Sequence, residues 1–257
     1  MSLTFNSAEN IDKALIARAM NQDGYACLPG YIDPAQLAQL REEVADQAQQ
    51  HHGEYFAHHD GEQVANSLVA ALGAAPEFQG LLSDVYQIGA GKSAPSNRIY
   101  MVMRCVQGHT GLKESNCFHF DASLVTALLP VEIPQEGDER GDLLLFPNLR
   151  TIRGIALFNV LEKSLLQNAL SRKLIARAIN MGLLKPQRLQ LVPGNLYLFW
   201  GYRTLHANEP CDPKKLRATA IFHYGDPHAG SLLTRLILRH NQRRARRASA
   251  IGKHQPV

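Results

Sequence analysis

From Arg98 onward the chain is a succession of short, apolar, β-prone runs, each followed by turn residues rich in Gly, Pro and Asn. The runs are 98–106, 124–131, 142–146, 195–200 and 216–224. Val, Ile, Phe and Tyr at this length suit a pleated surface better than a helix. The preceding third has a different texture. Residues 11–20 carry apolar side chains at helical spacing, and Gly24 ends that pattern. Residues 25–28 predict a short strand, turned by Pro29-Gly30. Asp33 then suits an N-cap with Pro34 at the first helical position, for a helix reaching about Gln50. A second helical pattern, residues 155–184, interrupts the β region.

These patterns predict a mainly β fold with flanking helices, a barrel or sandwich buttressed by the N-terminal segment. With 257 residues and 45% hydrophobic content, the chain supports one sizeable core. The expected division is a single domain over 1–226, helical over about 1–95 and β over about 96–226, followed by a basic segment, 227–257. That segment holds seven Arg and Lys and no acid, so the net charge of +4 leaves the body at −3. Leu232, Leu233, Leu236 and Ile237 read as the packing face of a solvated helix. Without interleaved aromatics the segment is a weak nucleic-acid signal, and no nucleic-acid partner is expected.

No run of about eighteen apolar residues predicts a membrane span. The first ten residues lack the basic and apolar regions of a secretory signal. Cys27, Cys105, Cys117 and Cys211 are widely spaced, with no C-x-x-C pair, and read as reduced thiols. A cytoplasmic location is the expectation.

The chemistry concentrates around His119-Phe120-Asp121, just before a strand-like run. In extended chain, residues two apart share a face, so His119 and Asp121 can reach one metal while Phe118 and Phe120 turn into packing. His206, ending the run 197–206, supplies a third ligand. Two histidines and one carboxylate on one face leave positions open side by side, which suits non-haem Fe(II), O₂ and a co-substrate. Downstream, Arg217 is the only charged residue in its strand and shares a face with Thr219. A guanidinium forks onto a carboxylate, so a dicarboxylic co-substrate chelating the iron at one end would meet Arg217 and Thr219 at the other.

The ordered set His119-x-Asp121, His206 and Arg217 resembles the Fe(II)/2-oxoglutarate-dependent dioxygenases, most of all the phytanoyl-CoA dioxygenase-like branch. The opening from Asp23 to Asp33, with a Gly-Tyr strand and an Asp-Pro helix start, is similar to that branch. The resemblance covers roughly residues 10–226. It implies a double-stranded β-helix, a cupin-like jelly roll, with the metal inside its open end. It also implies that 2-oxoglutarate and O₂ are consumed, with release of succinate and CO₂, while a small-molecule substrate is oxidised. Asn208 stands where relatives carry a polar side chain near the co-substrate. Relatives that halogenate replace the carboxylate, so Asp121 implies hydroxylation or a related oxidation. A non-catalytic or differently metallated ligand-binding jelly roll is the alternative.

Other residues remain ambiguous on sequence alone. Thr126 can donate to the co-substrate or to backbone. Trp200 and Tyr202 suit the pocket or the core, and His109 and His223 suit packing. Arg98, Arg104, Arg150 and Arg153 are compatible with an anionic substrate. His51-His52 and His58-His59-Asp60 read as a surface loop or pocket rim without a strand. Gly89-Ala-Gly91-Lys92-Ser93 lacks the first glycine and the preceding strand of a phosphate loop. The 155–184 segment suits a lid or a homodimer contact.

Overall fold

The computed structural model describes residues 11–60, 62–137, 139–153, 162, 165, 166 and 168–229. The proposed tail from residue 230 and the start of the 155–184 helical pattern lie outside the described residues.

Four helices gather on one side of the molecule. They are α1 (Lys13–Gln22), α2 (Pro34–Gln50), α4 (Leu68–Ala74) and α5 (Pro76–Ala90), with the one-turn α3 (Glu62–Ala65) between. Asp12 caps α1 and Asp33 caps α2, each accepting from two backbone N–H groups of the first turn. Helix α2 opens on Pro34 and ends at Gln50, as its sequence predicts.

The strands are β1 (Ala26–Leu28), β2 (Phe56–His59), β3 (Ile99–Val106), β4 (Val125–Glu132), β5 (Leu143–Phe146), β6 (Gln187–Leu189), β7 (Leu196–Phe199), β8 (Leu205–Asn208) and β9 (Arg217–Tyr224). They form a six-stranded sheet, β1-β7-β4-β9-β3-β2, and a three-stranded sheet, β6-β5-β8. Every pairing is antiparallel. The two sheets face each other as an open jelly roll without closing into a barrel. A short helix α6 (Gly108–Gly111) follows β3, and α7 (Ala169–Asn180) lies between β5 and β6.

The period of two decides what each strand offers to each side. On β4, Val125, Ala127, Leu129 and Val131 join the core shared with the helices. Thr126 and Leu128 face the space between the sheets. On β9, Ala218, Ala220, Phe222 and Tyr224 join the helix-side core, whereas Thr219, Ile221 and His223 line the groove. A smaller apolar cluster of Leu128, Leu143, Leu145, Leu189, Tyr197 and Phe199 fills the closed end of the groove. The helices thus bury one face of the large sheet and leave the other to the site.

One reading changes here, and one left open is decided. Residues 56–59 are a strand, not a loop: β2 pairs with β3 along its whole length. His58 is buried on the helix side and His51 stacks on Phe56 at 4.1 Å, so these rings belong to packing. Trp200 and Tyr202 are fully buried in the helix-side core. A Cβ on Gly89 of α5 would overlap the Trp200 indole, which leaves only glycine at that position. The glycine pattern around Gly89 therefore serves helix-to-sheet contact, and Gly91 is the left-handed C-cap of α5.

Candidate metal centre

His119 and His206 are held by backbone first. They form an isolated antiparallel bridge, each donating its N–H to the other's carbonyl at 3.0 Å. Asp121 donates its backbone N–H to the Gly201 carbonyl at 3.0 Å. Three chain segments thus converge, and the three side chains meet. His119 Nε2 lies 3.6 Å from Asp121 Oδ1, and His206 Nε2 lies 3.6 Å from Asp121 Oδ2. One donor atom from each residue falls within 4.8 Å of the others, and no other such group exists among the described residues.

The far nitrogens are also placed. His119 Nδ1 is 2.8 Å from the Cys117 carbonyl, and His206 Nδ1 is 3.1 Å from the Thr204 carbonyl. A carbonyl only accepts, so each Nδ1 carries the proton and each Nε2 turns a lone pair toward the centre. Burial, with the neighbouring His206 ring, holds the His119 imidazole down at about 4. Burial alone would raise the Asp121 carboxyl. The three neighbouring imidazoles, His206 foremost, and the Thr126 hydroxyl override it and hold Asp121 well below the usual carboxylate range. Near neutral pH the set is therefore a neutral His119 and an ionised Asp121, the protonation a cation requires.

One stability consequence has a defined sign. Between about pH 6.5 and 4 the unfolded chain binds the His119 proton and the folded metal-free chain does not. Stability then falls as pH drops through that window, by on the order of 3 kcal/mol. His58 and His223 are lowered as well and act in the same direction. Urea midpoints of the metal-free protein across this range measure the slope; a flat profile would refute it.

Thr126, expected to meet a co-substrate or backbone, lines the cavity and donates its hydroxyl to Asp121 Oδ2 at 2.5 Å. Its hydrogen is committed there, so the oxygen is left to accept, and His223 Nδ1 stands 3.3 Å away. The same nitrogen is 3.6 Å from Asp121 Oδ2. Thr126 and His223 together fix the carboxylate. Thr126→Val keeps the shape and removes the donor, and metal affinity is expected to fall about 10- to 100-fold in a chelator competition, with little change in melting temperature.

Arg217 is buried at 1% exposure. Its Nε donates to the Gly141 carbonyl at 2.7 Å and its Nη2 to Asn208 Oδ1 at 3.1 Å. Nη1 has no partner, and neither does the buried hydroxyl of Thr219 on the same face of β9. Burial, then the nearby Arg104 charge, lowers the guanidinium to about 10, which leaves it cationic near neutral pH. Two buried polar atoms without a partner, beside a cation, fit a carboxylate that the protein itself does not supply.

One cavity of about 420 Å³ is lined by His119, Asp121, His206, Thr126, Asn208, Thr219 and His223 among others, and Arg217 stands behind this lining, bonded to Asn208. Of the four arginines considered for an anionic substrate, Arg104 alone lines it. Arg98 pairs with Asp60, while Arg150 and Arg153 pair with Glu162. Arg172 of α7 also reaches the cavity, and the sequence offers no signal for it beyond a charge within a helix. Sequence reasoning also misses two glycines. A Cβ on Gly201 would overlap the Thr126 hydroxyl and Asp121 Oδ2, and one on Gly141 would press on Arg217 Cδ at 2.5 Å. Gly141 also has φ +72, where L side chains are strained.

No family model matches the chain, and no curated protein matches it in sequence. Solved structures do. A prolyl 4-hydroxylase from Phytophthora capsici superposes with a TM-score of 0.59 at 15% identity, covering 90% of this chain and 69% of its own. SnoK, a non-haem α-ketoglutarate-dependent carbocyclase from nogalamycin biosynthesis, gives 0.54 at 16% identity, covering 88% and 87%. SnoN, an epimerase with the same dependence from the same biosynthesis, gives 0.52 at 15%, covering 83% and 82%. The chain thus has the jelly-roll fold found in 2-oxoglutarate-dependent Fe(II) oxygenases. Inside it stands a two-histidine, one-carboxylate site.

Proposed function

We propose that this protein is an Fe(II)- and 2-oxoglutarate-dependent oxygenase that hydroxylates a small molecule. The observation that carries this reading is the cavity that joins the His119–Asp121–His206 set to Asn208 and the unpartnered hydroxyl of Thr219, with the buried Arg217, bonded to Asn208, keeping an unpartnered Nη1 behind them. A metal site alone would not require a buried cation beside it. The resemblance of residues 10–226 to the phytanoyl-CoA dioxygenase-like branch supports the same reading, with that branch as the proposed affiliation.

In this reading His119, Asp121 and His206 hold the iron, which supplies the site at which 2-oxoglutarate and O₂ react. The chain's own residues do the rest. The carbonyls of Cys117 and Thr204 hold the two imidazoles in the ligating tautomer. Thr126 and His223 orient the carboxylate. Arg217, steadied by Gly141 and Asn208, presents its free Nη1 with the Thr219 hydroxyl to the remote carboxylate of the co-substrate. Phe199, packed edge-on against His206 at 4.9 Å, and Leu128 give the inner wall an apolar surface that keeps water from it. The mouth, with Tyr55, His59, Arg104 and Arg172, is left for the substrate.

The deciding experiment is anaerobic. Metal-free protein given Fe(II) and 2-oxoglutarate should develop the weak visible charge-transfer absorption of the chelate. Folded, iron-loaded protein without that band would sink the reading and favour a jelly roll that binds a ligand without this chemistry.

A further inference from the structure

Helix α7 is two-sided in an unusual way. Its inner face, Ile175 and Ile179, packs on the cluster of Phe118, Leu144, Leu205 and Ala207 that backs the metal ligands. Its outer face is also apolar. Leu170, Leu174 and Met181 follow one another at spacings of four and seven, the repeat of a single helical stripe. Together with Leu165 and Leu183 they are 57–71% exposed. Exposed large apolar side chains are thus concentrated in one short stretch of the chain, and such concentration marks a contact surface.

The charges along this stretch of the chain are of one sign. Lys173 and Arg177 are exposed on the same side of the helix, and Lys185 follows. Between Lys163 and Asn208 the sequence contains no Asp or Glu. The nearest preceding acid, Glu162, is occupied by Arg150 and Arg153. An apolar stripe flanked by lysine and arginine, with no acid along the same stretch of chain, complements an anionic lipid surface. A second copy of the same face would set these cations against each other.

We propose that α7 docks the protein on an anionic membrane surface, Leu170, Leu174, Met181 and Leu183 entering the headgroup boundary while Lys173, Arg177 and Lys185 meet lipid phosphates and carboxylates. The surface lies about one helix diameter, roughly 10 Å, from the packing behind His119 and His206. Arg172 of the same helix lines the cavity, donating to the carbonyls of Lys113 and Ser115. The inference does not depend on the metal or on the proposed activity.

The test is co-sedimentation of the full-length, metal-free protein with vesicles of phosphatidylcholine, alone or with about 30% phosphatidylserine, at two salt concentrations. Wild type should bind the anionic vesicles, more weakly at high salt. Leu170→Ser/Leu174→Ser should cut binding at least about tenfold, and Lys173→Gln/Arg177→Gln about fivefold per charge removed. Leu15→Ser, an exposed leucine on α1, should bind like wild type. Circular dichroism checks that each variant is folded, and the charge variant, with both residues solvent-facing, carries the test if the leucine variant is not. Failure of wild type to bind would overturn the proposal. So would binding that survives both double substitutions, which would assign it to another part of the chain. A dimer in light scattering that Leu170→Ser/Leu174→Ser disperses, without vesicle binding, would make this face a contact between copies.

Discussion

His119→Ala is expected to cost at least about 100-fold in Fe(II) affinity and to abolish the chelate absorption, while the protein stays folded. The expected loss exceeds that for a group that merely orients a ligand, because one of three donor atoms disappears. The fold should tolerate it because the His119 side chain is 29% exposed, and the bridge to His206 is made by backbone N–H and carbonyl groups that alanine retains. His206→Ala should match it in metal loss and cost more stability. That ring is buried and packs on both Phe199 and His119. Titration of metal-free protein under argon, followed by calorimetry, reads both quantities. Iron affinity left within threefold of wild type in either variant would exclude these residues as ligands.

Arg217→Met separates binding from stability. Methionine roughly keeps the length and loses the charge. Under the proposed function, the apparent affinity for 2-oxoglutarate should fall about 100-fold, the cost of removing one partner from a buried charge-assisted contact. Iron affinity should change little. Stability should hold or rise, because the metal-free protein buries this cation without a partner for Nη1 and with its acidity already raised by burial. The carbonyl of Gly141 and the Asn208 amide oxygen lose a donor, which limits the gain. A purely structural arginine would show the opposite pattern: lower melting temperature and unchanged 2-oxoglutarate affinity. Equilibrium titration of the visible band, with a parallel thermal melt, distinguishes the two.

Much of this architecture is legible in the sequence where local chemistry and tertiary need agree. Asp33-Pro34 starts α2, and the runs 98–106 and 216–224 become β3 and β9, because capping and alternation are set by near neighbours. The strands β2 and β6 are not legible. Phe-Ala-His-His and Gln-Arg-Leu have little strand preference of their own and are held by pairing with β3 and β5. At the site, the meeting of His119, Asp121 and His206 follows from spacing and order. The role of Thr126 does not: a hydroxyl within an apolar run offers no sign of its partner, which is set by how closely the chain at Gly201 passes it. Gly201 and Gly141 are equally silent, since a glycine required by a neighbouring side chain looks like any turn glycine.

The alternation along β9 carries a further consequence for how such a protein diverges. Ala218, Ala220 and Phe222 are bound to the helices, and each change there is felt as lost packing. Thr219, Ile221 and His223 line the cavity, so a change there is felt first by the site. One strand therefore holds two nearly independent sets of letters, one under selection for persistence and one for reactivity. A lineage can rewrite the second without disturbing the first. A mutational library confined to Thr219, Ile221 and His223 should yield more folded proteins than one at Ala218, Ala220 and Phe222, and should alter ligand preference.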